Sequence, residues 1–201
     1  MKNNTYIKPL RTTLVAAALG AIAVAAPAQQ AWPSKPIHFV VPFSAGGAND
    51  LLGRAAAEGA SRVLGQPIIV DNKPGAGAML GTDVVAKSAP DGYTFLISAA
   101  GVISNSMIRK VPYKDSDLVP VAMVGLAPSV IVAPADAPYK DLKEFVAASK
   151  KSAKGLHFAT AGTGSTPHFV EGILEKNHGA KLDLVPYKSG SESITAVLGN
   201  Q

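Results

Sequence analysis

Residues 36–47 read PIHFVVPFSAGG, and this stretch decides the fold. Pro36 to Phe43 is a short apolar run with β-branched and aromatic residues, the pattern of a strand buried in a parallel sheet. Ser44-Ala45-Gly46-Gly47 is a turn. Asn49-Asp50 then caps a helical stretch to about Val63. Leu51, Leu52, Ala55, Ala56, Gly59 and Val63 sit near i, i+4 spacing on one face, and Gly65 closes the helix. The pattern repeats at once. Pro67 to Val70 is a second strand, Lys73-Pro74-Gly75 a turn, and Ala78 to Ala86 a second helix. Pro90-Asp91-Gly92 then turns into a strand from Tyr93 to Ile97. This β-α-β-α-β order is the signature of a doubly wound α/β half-domain.

Working downstream, the segment 99–118 carries Tyr113 and several charges and has room for a short helix. Val119 to Val124 and Ser129 to Ala133 read as strands, with Gly125 and Pro128 between them. Asp141 and Glu144 form a capping-box pattern, which predicts a helix over 142–151. Leu156 to Ala159 reads as a strand and 161–165 as a loop. A helix follows from Pro167 to about Asn177, with Thr166 as its cap and Gly179 as its terminator. Leu182 to Val185 is a last strand, and Ser189 with Glu192 caps a last helix through Ile194, Val197 and Leu198.

Working upstream, residues 1–28 have the three parts of a secretory signal peptide. Lys2, Lys8 and Arg11 form a positive start, Thr12 to Ala26 is apolar and Ala-rich, and Ala26-Pro27-Ala28 offers small residues for cleavage after Ala28. The apolar run falls short of the roughly 20 residues that span a bilayer. The composition agrees with a globular protein: 47% of residues are hydrophobic and 16% charged. The formal charge of +5 includes the three leader cations, so only a small positive excess follows Ala28. No Lys/Arg cluster with interleaved aromatics marks a nucleic-acid footprint, and no second apolar run has spanning length. The absence of cysteine excludes disulfide scaffolds, Cys-ligated metals and thiol nucleophiles.

Two loops follow a strand and open a helix: Phe43-Ser44-Ala45-Gly46-Gly47 with Asp50, and Gly162-Thr163-Gly164-Ser165 with His168. The first turn of a helix has unpaired N–H groups and the positive end of the dipole, so such a loop is suited to an anion. Open α/β sheets bind ligands at the carboxyl ends of their strands. Each loop is equally a plain strand–helix turn, and Asp50 equally a cap. No G-x-x-x-x-G-K-[ST] is present, and Gly162 to Ser165 does not match G-x-S-x-G. Ser165 and His168 at i, i+3 have the residue types of a nucleophile and base, although a capping serine and a helix-start histidine are more ordinary. His38, His157, His168 and His178 lack metal-ligand spacing.

Taken in order, several motifs resemble the solute-binding proteins of tripartite tricarboxylate transporters, the Bug family. They are Trp32 to Ile37; Val41 to Gly47 with Asp50 and Arg54; Val70 to Gly77 with Gly81; and Pro90 to Thr94. Tyr113, Leu118 to Val121, Gly162 to Ser165 with His168, and Val185 to Lys188 follow. The family's Gly after Tyr-Lys is here Ser189, and a family acidic position is Ala196.

The resemblance implies an α/β, type II periplasmic-binding-protein-like fold of two doubly wound lobes. The first lobe would be 29–126 and the second 127–201, with the second lobe, and the chain's return to the first, incomplete because family members are longer. It implies a non-catalytic periplasmic receptor with no cofactor or metal, and a mature chain not inserted in the membrane. The receptor would capture a small carboxylate for membrane transporter subunits. Phe43, Ser44, Ala45, Gly46, Gly47 and Asp50 would hold the ligand from one lobe. Gly162, Thr163, Gly164, Ser165 and His168 would hold it from the other. A sensor feeding a membrane receptor, a decayed fragment that binds nothing, and a secreted hydrolase using Ser165 and His168 are the alternative readings.

Overall fold

A computed structural model describes residues 31–201, so the expected leader, 1–28, lies outside the described residues. The chain divides into two units, Met1–Ser34 and Lys35–Gln201, and the second holds every regular element described. Its first half alternates strands β1 (Ile37–Val41), β2 (Ile68–Asn72) and β3 (Thr94–Leu96) with helices α1 (Ala48–Leu64), α2 (Met79–Ala86) and α3 (Gly101–Ile108). These strands form a parallel sheet in the order β2-β1-β3, with Phe39 opposite Val70 on one side and Phe95 on the other. Its second half contains α4 (Leu142–Lys151), β4 (Leu156–Thr160), α5 (Thr166–His178), β5 (Leu182–Pro186) and α6 (Gly190–Leu198). β4 and β5 pair in parallel, Leu156 opposite Leu182 and Thr160 opposite Pro186. The α/β alternation expected from PIHFVVPFSAGG is therefore the architecture.

The cores follow from the strand sequences. Ile37, Val40 and Val41 of the central strand are almost wholly buried, and Val41 packs with Phe43, Ala78 and Ala161. Phe145, Phe158, Leu174 and Ala180 form a second core around β4. Burying a Val, Leu, Ile or Phe side chain is worth about 1.5–3 kcal/mol, so the second cluster holds its helices on the β4–β5 sheet while the first also reaches Ala161 after β4.

Three local expectations are corrected. The buried face of α1 is Asp50, Gly53 and Ala57, while Leu51 and Val63 are 60% and 85% exposed. The reason is distance: a Cβ placed on Gly53 would lie 3.3 Å from Val41 and from Ile97, so α1 approaches the sheet through small residues. The α1 N-cap is Gly47 rather than Asn49 or Asp50, and the α5 N-cap is Ser165, with Thr166 and Pro167 inside the first turn. Pro tolerates that place because its missing N–H is an orphan there in any case.

The third correction is 119–133. These residues form no strand and all are exposed, with Val121 at 76% and Leu126 at 85%. A strand exists only through a ladder to a neighbour, and among the described residues none runs beside this segment. The expected helices of the second half do form. The Asp141 carboxylate accepts from Glu144 N–H at 2.8 Å, and Glu144 in turn accepts from Lys140 N–H at 2.8 Å.

Candidate functional site

Every loop at the carboxyl ends of these parallel strands meets at one junction. Ala161, after β4, packs against Val41, Phe43 and Ala78. Asn105 of α3, fully buried, donates to Gly77 O at 2.7 Å and accepts from Arg109 Nε at 2.9 Å. The Arg109 guanidinium reaches Ala76 O at 2.6 Å and Thr163 O at 2.7 Å. Arg109 thus ties the loop after β2 to the loop after β4. Ser44 Oγ donates to Glu192 Oε1 at 2.7 Å, joining the loop after β1 to the start of α6.

The loop from Phe43 to Gly47 is shaped by Asp50, which is 2% exposed. Its carboxylate accepts from Gly46 N–H at 2.8 Å, from Arg54 Nε at 3.0 Å and from Asn72 Nδ2 at 2.9 Å. Asn72 Nδ2 also donates to Phe43 O at 3.1 Å. Burial works against the charged carboxylate. The hydrogen bonds from Arg54, Gly46 and Asn72, together with the Arg54 charge, outweigh that burial and lower its pKa to about 2. Asp50 is thus a fixed anion under the loop. Phe43 is buried, Ser44 and Gly47 are partly buried, and Ala45 and Gly46 are exposed.

In the second loop, His168 Nδ1 accepts from Gly164 N–H at 3.0 Å, which assigns the imidazole proton to Nε2. Nε2 faces the Glu171 carboxylate at 4.0 Å. Burial, with help from Glu175, pushes the Glu171 pKa upward against the pull of His168. Gly162, Gly164 and Ser165 are buried, and Thr163 is exposed. Ser165 is 3% exposed, and its Oγ has no hydrogen-bond partner among the described residues. Nor does it cap α5. A serine nucleophile needs a base on its hydroxyl, and the nearby imidazole nitrogen is spent on Gly164 instead.

The structure therefore brings both predicted loops to one junction, but it changes the roles of two glycines. The N–H groups of Gly46 and Gly164 are occupied by Asp50 and His168. The donors left for an anion are those of the α1 first turn, which no side chain caps, and the Ser165 hydroxyl. Two surface depressions, of about 400 Å³ beside His168 and Lys176 and about 300 Å³ beside His38 and Tyr93, are not lined by the 43–47 loop. Asn105, Arg109 and Glu192 were not among the expected site residues. Their partners lie 28, 54 and 148 positions away, beyond any local pattern.

The model of the tripartite tricarboxylate transporter family receptor matches residues 52–201. The chain belongs to this family. It is 37% identical over 173 residues to the "UPF0065 protein in tcbD-tcbE intergenic region" of Pseudomonas sp. (strain P51), covering 85% of this chain and 52% of that one. To Protein BugT of Bordetella pertussis it is 36% identical over 181 residues, covering 88% and 56%. Among solved structures, MatC from Rhodopseudomonas palustris with bound malate superposes with a TM-score of 0.77 at 30% identity, covering 85% of this chain and 59% of that one. The chain spans about half the length of the curated relatives it matches. The structure described as periplasmic binding protein BugD superposes with a TM-score of 0.70 at 32% identity, covering 85% of this chain and 57% of that one. Among the described residues no helix is long and apolar enough to cross a membrane.

Proposed function

We propose that this chain is the ligand-capturing part of a periplasmic receptor that delivers a small carboxylate to the membrane subunits of a tripartite transporter, without catalysis. In this reading 29–126 and 127–201 contribute to two lobes, and the ligand sits where their strand-end loops meet. The observation that carries it is the buried Ser165 hydroxyl at the start of α5, left without a partner among the described residues. An unpaired buried hydroxyl costs about 1–3 kcal/mol, and a bound carboxylate oxygen would recover that cost. MatC, which binds malate, is the structural relative that makes a dicarboxylate the first ligand to try.

The test is calorimetry with malate on the exported chain and its Ser165→Ala variant. A hydrogen bond to a charged group is worth about 1.5–3 kcal/mol, so the variant should bind roughly 10–150-fold more weakly. Its melting temperature should hold or rise, because an unsatisfied hydroxyl has gone. Unchanged affinity, or a destabilised variant, would move Ser165 out of the site. Ester hydrolysis by the wild type that Ser165→Ala abolishes would favour an enzyme instead.

The leader belongs to the same proposal. Export should remove residues 1–28, and mass spectrometry of the secreted protein should find Gln29 at or within a few residues of the N-terminus. A product that retains Met1 would refute cleavage.

A further inference from the structure

The contact between Ser44 and Glu192 is unusual in its placement. Ser44 belongs to the loop after β1, which the receptor reading assigns to the ligand, yet its hydroxyl is already given to a carboxylate of the protein itself, at 2.7 Å. A hydroxyl has one proton, so while Glu192 holds it Ser44 cannot donate to a second carboxylate. Both partners are only partly buried, so the pair can separate without stranding a buried charge. Glu192 is also well positioned from its own side. Ser189, fully buried, caps α6 by accepting from Glu192 N–H at 3.3 Å, and the other Glu192 oxygen accepts from Lys188 N–H at 3.1 Å. These two contacts anchor Glu192 at the start of α6 while its Oε1 reaches Ser44. The contact lowers the Glu192 pKa, chiefly through Ser44, which agrees with a carboxylate held in its charged form.

We propose that Glu192 is an internal competitor: its carboxylate holds the Ser44 hydroxyl, and a ligand carboxylate must displace it to bind. The proposal rests on the receptor reading above. It makes Glu192 an affinity-setting residue rather than a ligand contact. The apparent affinity is reduced by the fraction of molecules in which Ser44 is free, and removing the competitor raises that fraction. A second anion brought beside an undisplaced Glu192 would meet like-charge repulsion, which adds to the same effect.

The experiment has two arms on the whole chain. In the first, malate is titrated into wild type, Glu192→Gln and Glu192→Ala by calorimetry. Glu192→Ala should bind at least 5-fold tighter than wild type; Glu192→Gln, whose amide oxygen can still accept from Ser44 but carries no charge, should gain less. Equal or weaker binding by both variants would overturn the proposal. In the second arm, Ser44→Ala, Glu192→Ala and the double variant are unfolded without ligand. If the contact exists, the double variant should be no less stable than the weaker single variant. Additive losses would show that Ser44 and Glu192 do not interact, and the proposal would fail whatever the titration gives. Absence of malate binding in all proteins would instead count against the receptor reading and the competition with it, while the second arm would still report on the contact by itself.

Discussion

Gly164→Val is expected to cost about 3–5 kcal/mol of stability, the largest single loss foreseen for a strand-end loop, through the added cost of strain and overpacking. Gly164 has φ +86°, where a β-branched residue is strained. A Cβ there would also land on the Asn105 side chain, which is buried and bonded to Gly77 O and Arg109. Asn105 cannot retreat without breaking bonds that have no solvent to replace them. Gly46 provides the control. Its φ is +82°, nearly the same, but an added Cβ would meet nothing within 4 Å. Gly46→Val should therefore cost only the backbone strain, about 1–2 kcal/mol. Urea unfolding of both variants separates the two terms. Equal losses would mean that the Asn105–Arg109 clamp does not hold the second loop. Carboxylate binding should weaken in Gly164→Val through displacement of the loop, since Gly164 N–H is already committed to His168.

What the sequence made legible was local. β1 and its glycine turn follow from PIHFVVPFSAGG, because a buried parallel strand and a left-handed turn each have a residue signature. The caps at Asp141/Glu144 and Ser189/Glu192 appear where their spacing puts them, since an N-cap side chain reaches only the N–H three residues on. The readings that failed needed information from afar. Val119 to Ala133 has strand composition, but composition does not supply a pairing partner. The α1 face was misassigned because the spacing of Leu51 and Val63 implied burial, while the sheet accepts Gly53 and Ala57. The site divided the same way. The two loops were legible as loops, but the groups that arrange them were not. Arg109, Asn105 and Glu192 act across the junction, and only folding makes them neighbours.

Asp50 should make this fold acid-sensitive in a narrow window. Its pKa in the folded protein is about 2, below the ordinary 3.8, so folding favours its charged form. The stabilisation is complete above the unfolded value and is lost as pH falls from near 4 through 2. A shift of this size corresponds to roughly 2 kcal/mol. Asp50→Asn removes the charge that Arg54 and Gly46 N–H share, and turns one oxygen into an NH2 that must face a donor. The variant should be about 2 kcal/mol less stable than wild type at neutral pH, the scale of a hydrogen-bonded charge. That gap should narrow as pH approaches 2, where the wild-type carboxyl also becomes neutral. Urea midpoints for both proteins at pH 7, 4 and 2.5 measure it. A gap that stays constant across the series would mean that Asp50 stabilises the loop by packing rather than by charge. In the expected case the same titration should loosen the first loop, because Gly46 N–H, Arg54 and Asn72 all converge on that one carboxylate.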